Sequence, residues 1–129
     1  MEKLIDGIER LTEKFPYPVL AIGNFDGVHL GHQTIFRMLV EKTKEKNGTS
    51  IVLTFEPHPL RIISPEKAPK TLTPFKDKVN LIKSFGVDVV ICVNFTKEFA
   101  NIEAEDFAEK ILYKTIGVKE VFIGSNYRF

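Results

Sequence analysis

The chain alternates short apolar runs with longer amphipathic stretches. Val19-Leu20-Ala21-Ile22 lies between Pro18 and Gly23, and Ile51-Val52-Leu53-Thr54-Phe55 ends before Glu56-Pro57. Val87 to Val93 is interrupted only by Asp88, and Val121-Phe122-Ile123 ends at Gly124. Continuous β-branched runs without polar alternation suit strands buried on both faces, as in a parallel sheet. The stretches between them carry helical spacing. Ile35, Phe36, Leu39 and Val40 recur between Gly31 and Lys46, and Val79, Leu81, Ile82 and Phe85 between Pro74 and Phe85. Phe107, Ala108, Ile111 and Leu112 form one predicted face between Glu103 and Ile116. Gly48, Gly86 and Gly117 are expected to close the three helices. Thr73 is the expected N-cap of the second, with Pro74 at its first helical position.

Strands alternating with helices predict an α/β fold with right-handed crossovers. The opening segment, Lys3 to Phe15, reads as a short edge strand followed by a short helix. Glu56 to Thr73 breaks the pattern: it contains Pro57, Pro59, Pro65 and Pro69 and has no regular period. Loops of that length are usually functional or disordered. Leu60, Ile62 and Ile63 argue against plain disorder.

Composition narrows the classes. The 129 residues fit one domain, with no internal repeat, low-complexity stretch or interdomain linker. A formal charge of +1 excludes a strongly basic nucleic-acid binder. No apolar run approaches the roughly 18 residues of a membrane span. The acidic start, Met1-Glu2-Lys3-Leu4-Ile5-Asp6, differs from a secretory signal, and the expected placement is cytoplasmic. A single cysteine, Cys92, excludes an intrachain disulfide framework and a Cys-rich zinc site. Inside an apolar strand it reads as a small core residue.

Ligands of open α/β sheets bind beyond the carboxyl ends of the strands. Asn24, Asp26, His29 and His32 follow the first run, and Glu56 and His58 the second. Asn94 and Thr96 follow the third; Ser125, Asn126 and Arg128 follow the fourth. All three histidines fall on this predicted edge. The densest signal is Gly23-Asn24-Phe25-Asp26-Gly27-Val28-His29-Leu30-Gly31-His32. Its glycine spacing is neither the dinucleotide fingerprint nor the Walker A loop. The physics is related, because glycines admit close backbone approach and a helix N-terminus offers free N–H groups and a positive dipole end. Two imidazoles three residues apart at such an end suit a polyphosphate. Metal ligation, with Asp26 or Glu56 completing a set, and a purely structural role are the weaker readings.

His29-Leu30-Gly31-His32 matches the His-x-Gly-His motif of the nucleotidyltransferase superfamily, and the longer Gly23–Gln33 string resembles bacterial FAD synthetases, the bifunctional riboflavin kinase/FMN adenylyltransferases. Thr54-Phe55-Glu56-Pro57-His58-Pro59 is similar to that family's Thr-Phe-acid-Pro-His-Pro segment. Leu72-Thr73 before a helix, Phe85-Gly86-Val87-Asp88 and Gly124-Ser125-Asn126-Tyr127-Arg128-Phe129 follow in the family's order. The resemblance covers nearly the whole chain. It implies a Rossmann-like nucleotidyltransferase fold, a mostly parallel sheet flanked by helices. It also implies a single FMN adenylyltransferase domain over residues 1–129 that is C-terminally incomplete. The last strand, a Ser-x-x-Ile-Arg motif and a riboflavin kinase domain would then be missing.

The implied reaction is adenylyl transfer from ATP to FMN, giving FAD and pyrophosphate, with Mg²⁺. The implied partners are these small molecules, without nucleic acid or membrane. His29 and His32 would hold the triphosphate and stabilise charge. Gly23, Asn24, Phe25 and Gly31 would shape the adenylate cleft through the backbone, and Pro57, Pro59, Arg61 and Asn126 would face the flavin, with Ile62 adding to an apolar wall. Metal ligands are unassigned. The alternatives are a nucleotide- or flavin-binding fragment without turnover, and an adenylyltransferase with another acceptor such as phosphopantetheine or nicotinamide mononucleotide.

Overall fold

The computed structural model describes residues 3–23, 25, 30–56, 62–67, 74–102 and 104–123, and the side chains of all of these except 30–32 and 104. Among the described residues five strands, β1 (Lys3–Asp6), β2 (Pro18–Ile22), β3 (Thr49–Glu56), β4 (Val89–Asn94) and β5 (Glu120–Ile123), form one sheet in the order β1-β4-β3-β2-β5. Every pairing is parallel. The N-terminal strand lies at an edge, as its sequence suggests, and the helix expected after it is a single 3₁₀ turn, Ile8–Arg10.

The helices are α1 (Leu30–Glu45), α2 (Phe75–Ser84), α3 (Lys97–Ala100) and α4, which begins at Ala104–Asp106 and continues as a π-helix over Phe107–Ile116. From β2 the chain moves outward through α1 to β3 and through α2 to β4. From β4 it crosses back to β5, on the other side of β2. Right-handed crossovers in opposite directions put their helices on opposite faces. The two cores agree. Val19, Ala21, Val52 and Val90 pack with Phe36 and Leu39 of α1 and Val79 and Ile82 of α2. Leu20, Ile22, Ile51, Leu53, Phe55, Val89, Ile91 and Val93 pack with Phe99, Phe107 and Ile116. Strands covered on both sides need apolar residues at consecutive positions, which is why the runs read as continuous.

Several details differ from the sequence pattern. Pro74 is the N-cap of α2 rather than its first helical residue; Thr73 lies outside the described residues. Gly86 (φ 90°) and Gly117 (φ 76°) adopt left-handed backbone after their helices, but after α1 that residue is Asn47 (φ 51°), not Gly48. Gly48 serves packing instead: a Cβ there would lie 2.4 Å from the Tyr17 carbonyl oxygen, which accepts from the Thr49 amide. Along the π-helix Ala108 is exposed, while Phe107 and Ile116 are buried and Ile111 and Leu112 half-buried. The wider turn shifts the apolar face from the α-helical one.

At the amino end of the sheet, Asp88 and Ser50 lock β4 to β3. The Ser50 amide (3.0 Å) and hydroxyl (3.2 Å) donate to Asp88 Oδ2, and the Asp88 amide donates to Ser50 Oγ at 2.8 Å. Tyr17, ahead of β2, donates to Glu120 Oε2 at 3.0 Å, tying β5 in. That bond, burial and the carboxylate charge hold the Tyr17 hydroxyl above its ordinary pKa. Cys92 is buried in β4. Burial first, then the Asp6 carboxylate, pushes its thiol up to about 12, with Lys78 opposing.

Two expectations follow. Gly48→Ala forces the methyl group onto backbone and should destabilise by about 1–3 kcal/mol, read by denaturant unfolding. The Cys92 thiol should resist alkylation at pH 8 in the native protein and react in denaturant. Its folded pKa lies above the unfolded value, so the unfolded chain binds fewer protons between the two. Stability contributed by the neutral thiol is complete below pH 9 and falls as pH rises toward 12, which unfolding curves across that window would show.

Candidate functional site

The direction of strand order reverses between β2 and β5, and open α/β sheets take ligands outside the carboxyl ends of the strands at such a switch point. Gly23 follows β2 at this point, and its amide donates to the Leu53 carbonyl at 3.1 Å, extending the β2–β3 ladder by one step. The described chain leaves β5 at Ile123 on the same edge. α1 starts at Leu30, seven residues past Gly23, so Gly31 and His32 occupy its first turn. The first-turn N–H groups of this 16-residue helix have no partner within the helix, and the positive end of its dipole lies at that turn.

Phe25 shows how the turn is held. Its backbone is left-handed (φ 54°), unusual for an aromatic residue. Its ring is buried, 4.9 Å from the Phe36 ring of α1. A Cβ on Gly23 would lie 2.9 Å from the same ring, so the glycine makes room for it. The ring is committed to the core, which leaves the Phe25 backbone as the part able to meet a ligand. Burial of a phenyl group offsets the roughly 1–3 kcal/mol that left-handed backbone costs.

Of the other expected site residues, His32 and Gly31 are placed by their helical backbone alone. Asn24, His29, Pro57, Pro59, Arg61 and Asn126 lie outside the described residues, as do Asp26 and His58. Ile62, expected on an apolar wall for flavin, is half-buried and packs against the core on the face of Phe99 and Phe107. Thr96 caps α3, its Oγ1 accepting from the Phe99 amide at 3.0 Å. Among the described residues no three His, Cys, Asp or Glu side chains gather as a metal site.

Glu56, expected on the polar edge beyond the second apolar run, stands at the carboxyl end of β3, but sequence reasoning missed its partner Lys78. Glu56 closes that strand with its side chain 37% exposed, and its Oε2 lies 3.6 Å from Nζ of Lys78, on α2, which is fully buried. Lys78 also donates to the Phe55 carbonyl at 3.4 Å. Glu56 is in register with Asn94 of β4, which is exposed. Beneath this edge, on the opposite face, Phe55, Phe95, Phe99 and Phe107 pack ring to ring at 5.6–6.0 Å. A helical lysine surrounded in sequence by Lys76, Asp77 and Asn80 gives no hint of burial. The signal available was its spacing, one before Val79 and four before Ile82.

A separate cavity of about 300 Å³, lined by Thr43, Lys44, Asn47, Ser50 and Asp88 among others, lies at the amino end of the sheet, away from the switch point. No helix among the described residues is long and apolar enough to cross a membrane.

Comparison with known proteins agrees with this geometry. The chain is 40% identical, over 98% of its length, to a protein of Escherichia coli strain K12 named bifunctional riboflavin kinase/FMN adenylyltransferase. It is 37% identical over 98% to a Buchnera aphidicola protein of that name, and 40% identical over 79% to one from Bacillus subtilis. It spans 41% of the first two relatives and 33% of the third. The solved structure of a macrolide-efflux protein from Streptococcus pneumoniae matches with a TM-score of 0.82, covering all of this chain and 50% of that one. At 23% identity that likeness shows the fold alone, a Rossmann-like parallel sheet between helices. The family model described as FAD synthetase matches residues 12–129, from before β2 to the last residue, and the chain belongs to the FAD synthetase family.

Proposed function

We propose that residues 1–129 form an adenylyltransferase domain that transfers AMP from ATP to the phosphate of FMN, yielding FAD and pyrophosphate. The observation that carries this reading is the course of the chain from Gly23 into the first turn of α1 at the switch point of the sheet. That helix end suits an anion, and the family supplies the acceptor.

In this reading the FMN phosphate attacks the α-phosphorus of ATP; the P–O bond to the β-phosphate breaks, and pyrophosphate leaves. A phosphate nucleophile is already anionic at neutral pH, so the protein's task is positioning and charge stabilisation rather than proton abstraction. The first-turn amides of α1 and the imidazoles of His29 and His32 hold the triphosphate. A polyanion beside an imidazole favours its protonated form, which adds positive charge where the leaving group develops negative charge. Gly23, Asn24, Phe25 and Gly31 present backbone to the adenylate. Pro57, Pro59, Arg61 and Asn126 face FMN. The ATP substrate is its magnesium complex, in the manner of Mg²⁺ ions held by substrate phosphates and one or two carboxylates. In a longer parent chain a riboflavin kinase domain would supply the FMN, and both would work in the cytoplasm.

His29→Ala and His32→Ala should each lower the rate of FMN-dependent pyrophosphate release by about two to three orders of magnitude. Near-normal FAD formation by both variants overturns the assignment. Running phosphopantetheine and nicotinamide mononucleotide beside FMN tests the acceptor: faster turnover with either replaces FMN. Saturable ATP and FMN binding without any FAD formed replaces transfer by binding.

A further inference from the structure

Among the described residues, Lys78 is the charged side chain with no exposure. Lysine is almost never fully buried unless paired, and withdrawing an ammonium from water costs several kcal/mol. Packing alone would favour an apolar residue at this position, between the buried Val79 and Ile82 and the sheet. The direction of its side chain suggests why a charge stands there. α2 begins at Phe75, and the Lys78 amide closes its first turn on the Pro74 carbonyl at 2.9 Å. From this turn Nζ reaches the end of β3, 3.4 Å from the Phe55 carbonyl and 3.6 Å from the Glu56 carboxylate. The Glu56 carbonyl is itself fixed, accepting from the Phe95 amide at 3.1 Å. The last peptide of β3 and its terminal carboxylate are thus held from two sides, while the Glu56 side chain stays 37% exposed at the carboxyl end of the strand, the end where ligands of such sheets bind.

Neighbouring strands stand about 4.8 Å apart, so the end of β3 lies one strand from the end of β2. With the triphosphate at the helix end beyond β2, and Pro57, Pro59 and Arg61 of the segment after β3 assigned to FMN as proposed above, the acceptor lies over β3. The proposal therefore rests on the function proposed above and assigns this half of the site to FMN. We infer that Glu56 is a contact for FMN, accepting a hydrogen bond from its N–H or hydroxyl groups, and that buried Lys78 is the positioning residue that aims the Glu56 carboxylate. Lys78 also balances the carboxylate charge, so that Glu56 can stand near a phosphate-bearing substrate.

The test is calorimetric titration of the purified chain with FMN and, separately, with ATP, using Lys78→Met, Glu56→Gln and the double variant. Each single variant should weaken FMN binding about tenfold or more, as expected when a positioning group is lost, and leave ATP binding within about threefold. The double variant should bind FMN no worse than the poorer single, because the two residues act as one unit. Unchanged FMN affinity, equal losses for both ligands, or additive losses each overturn the inference. Equal losses would mark Lys78 as structural. Should Lys78→Met fail to melt cooperatively, Glu56→Gln alone decides, since its partly exposed side chain can be altered without emptying the core. A wild-type chain that does not bind FMN sinks the proposed function itself. A wild-type chain that binds FMN beside variants that bind it equally sinks only this inference.

Discussion

The handedness of the crossovers governs this molecule. A parallel connection that runs right-handed must place its helix on one face when the chain moves in one direction and on the other face when it moves back. The chain moves outward from β2 to β4 and then returns to β5. That one reversal puts α1 and α2 on one face, and Phe99 and the π-helix on the other. It also sets the switch point at the ends of β2 and β5. Core and site follow from the same constraint: the three central strands, β4, β3 and β2, are buried along nearly their whole length and read as near-continuous apolar runs.

The two ends of the sheet use polar groups differently. At the amino end they close against one another, in the reciprocal Asp88–Ser50 bonds and the Tyr17–Glu120 bond. These bonds set the register before the strands enter the core. At the carboxyl end, among the described residues, Glu56 and Asn94 keep partly or fully exposed side chains. α1 begins there, and the 37% exposed Glu56 side chain is paired with buried Lys78. Such a group is costly to bury and is stable only because its partners are held by rigid strands. The four-phenylalanine cluster under β3 and β4 supplies part of that rigidity.

The turn after β2 stores backbone strain in Phe25 and releases it into packing against Phe36. The same logic recurs at the amino end, where Tyr17 (φ 38°) and Asn47 (φ 51°) flank the close approach of Gly48 to the Tyr17 backbone. Glycine there answers Tyr17, distant in the chain, and not its own dihedral angle.

The strands, the helices and the string from Gly23 to His32 were legible in the amino-acid order, because burial on two faces, helical spacing and a glycine-rich turn are local patterns. The family was legible for the same reason: its motifs are short and appear in order. The order β1-β4-β3-β2-β5, the burial of Lys78, the packing of Ile62 into the core and the exchange of roles between Asn47 and Gly48 were not. Each depends on a residue distant in sequence: Lys78 on Glu56, Gly48 on Tyr17, β5 on β2. Local pattern determines what each segment becomes. Only the assembled sheet decides which neighbours it meets, because burial and charge pairing are properties of the space between segments.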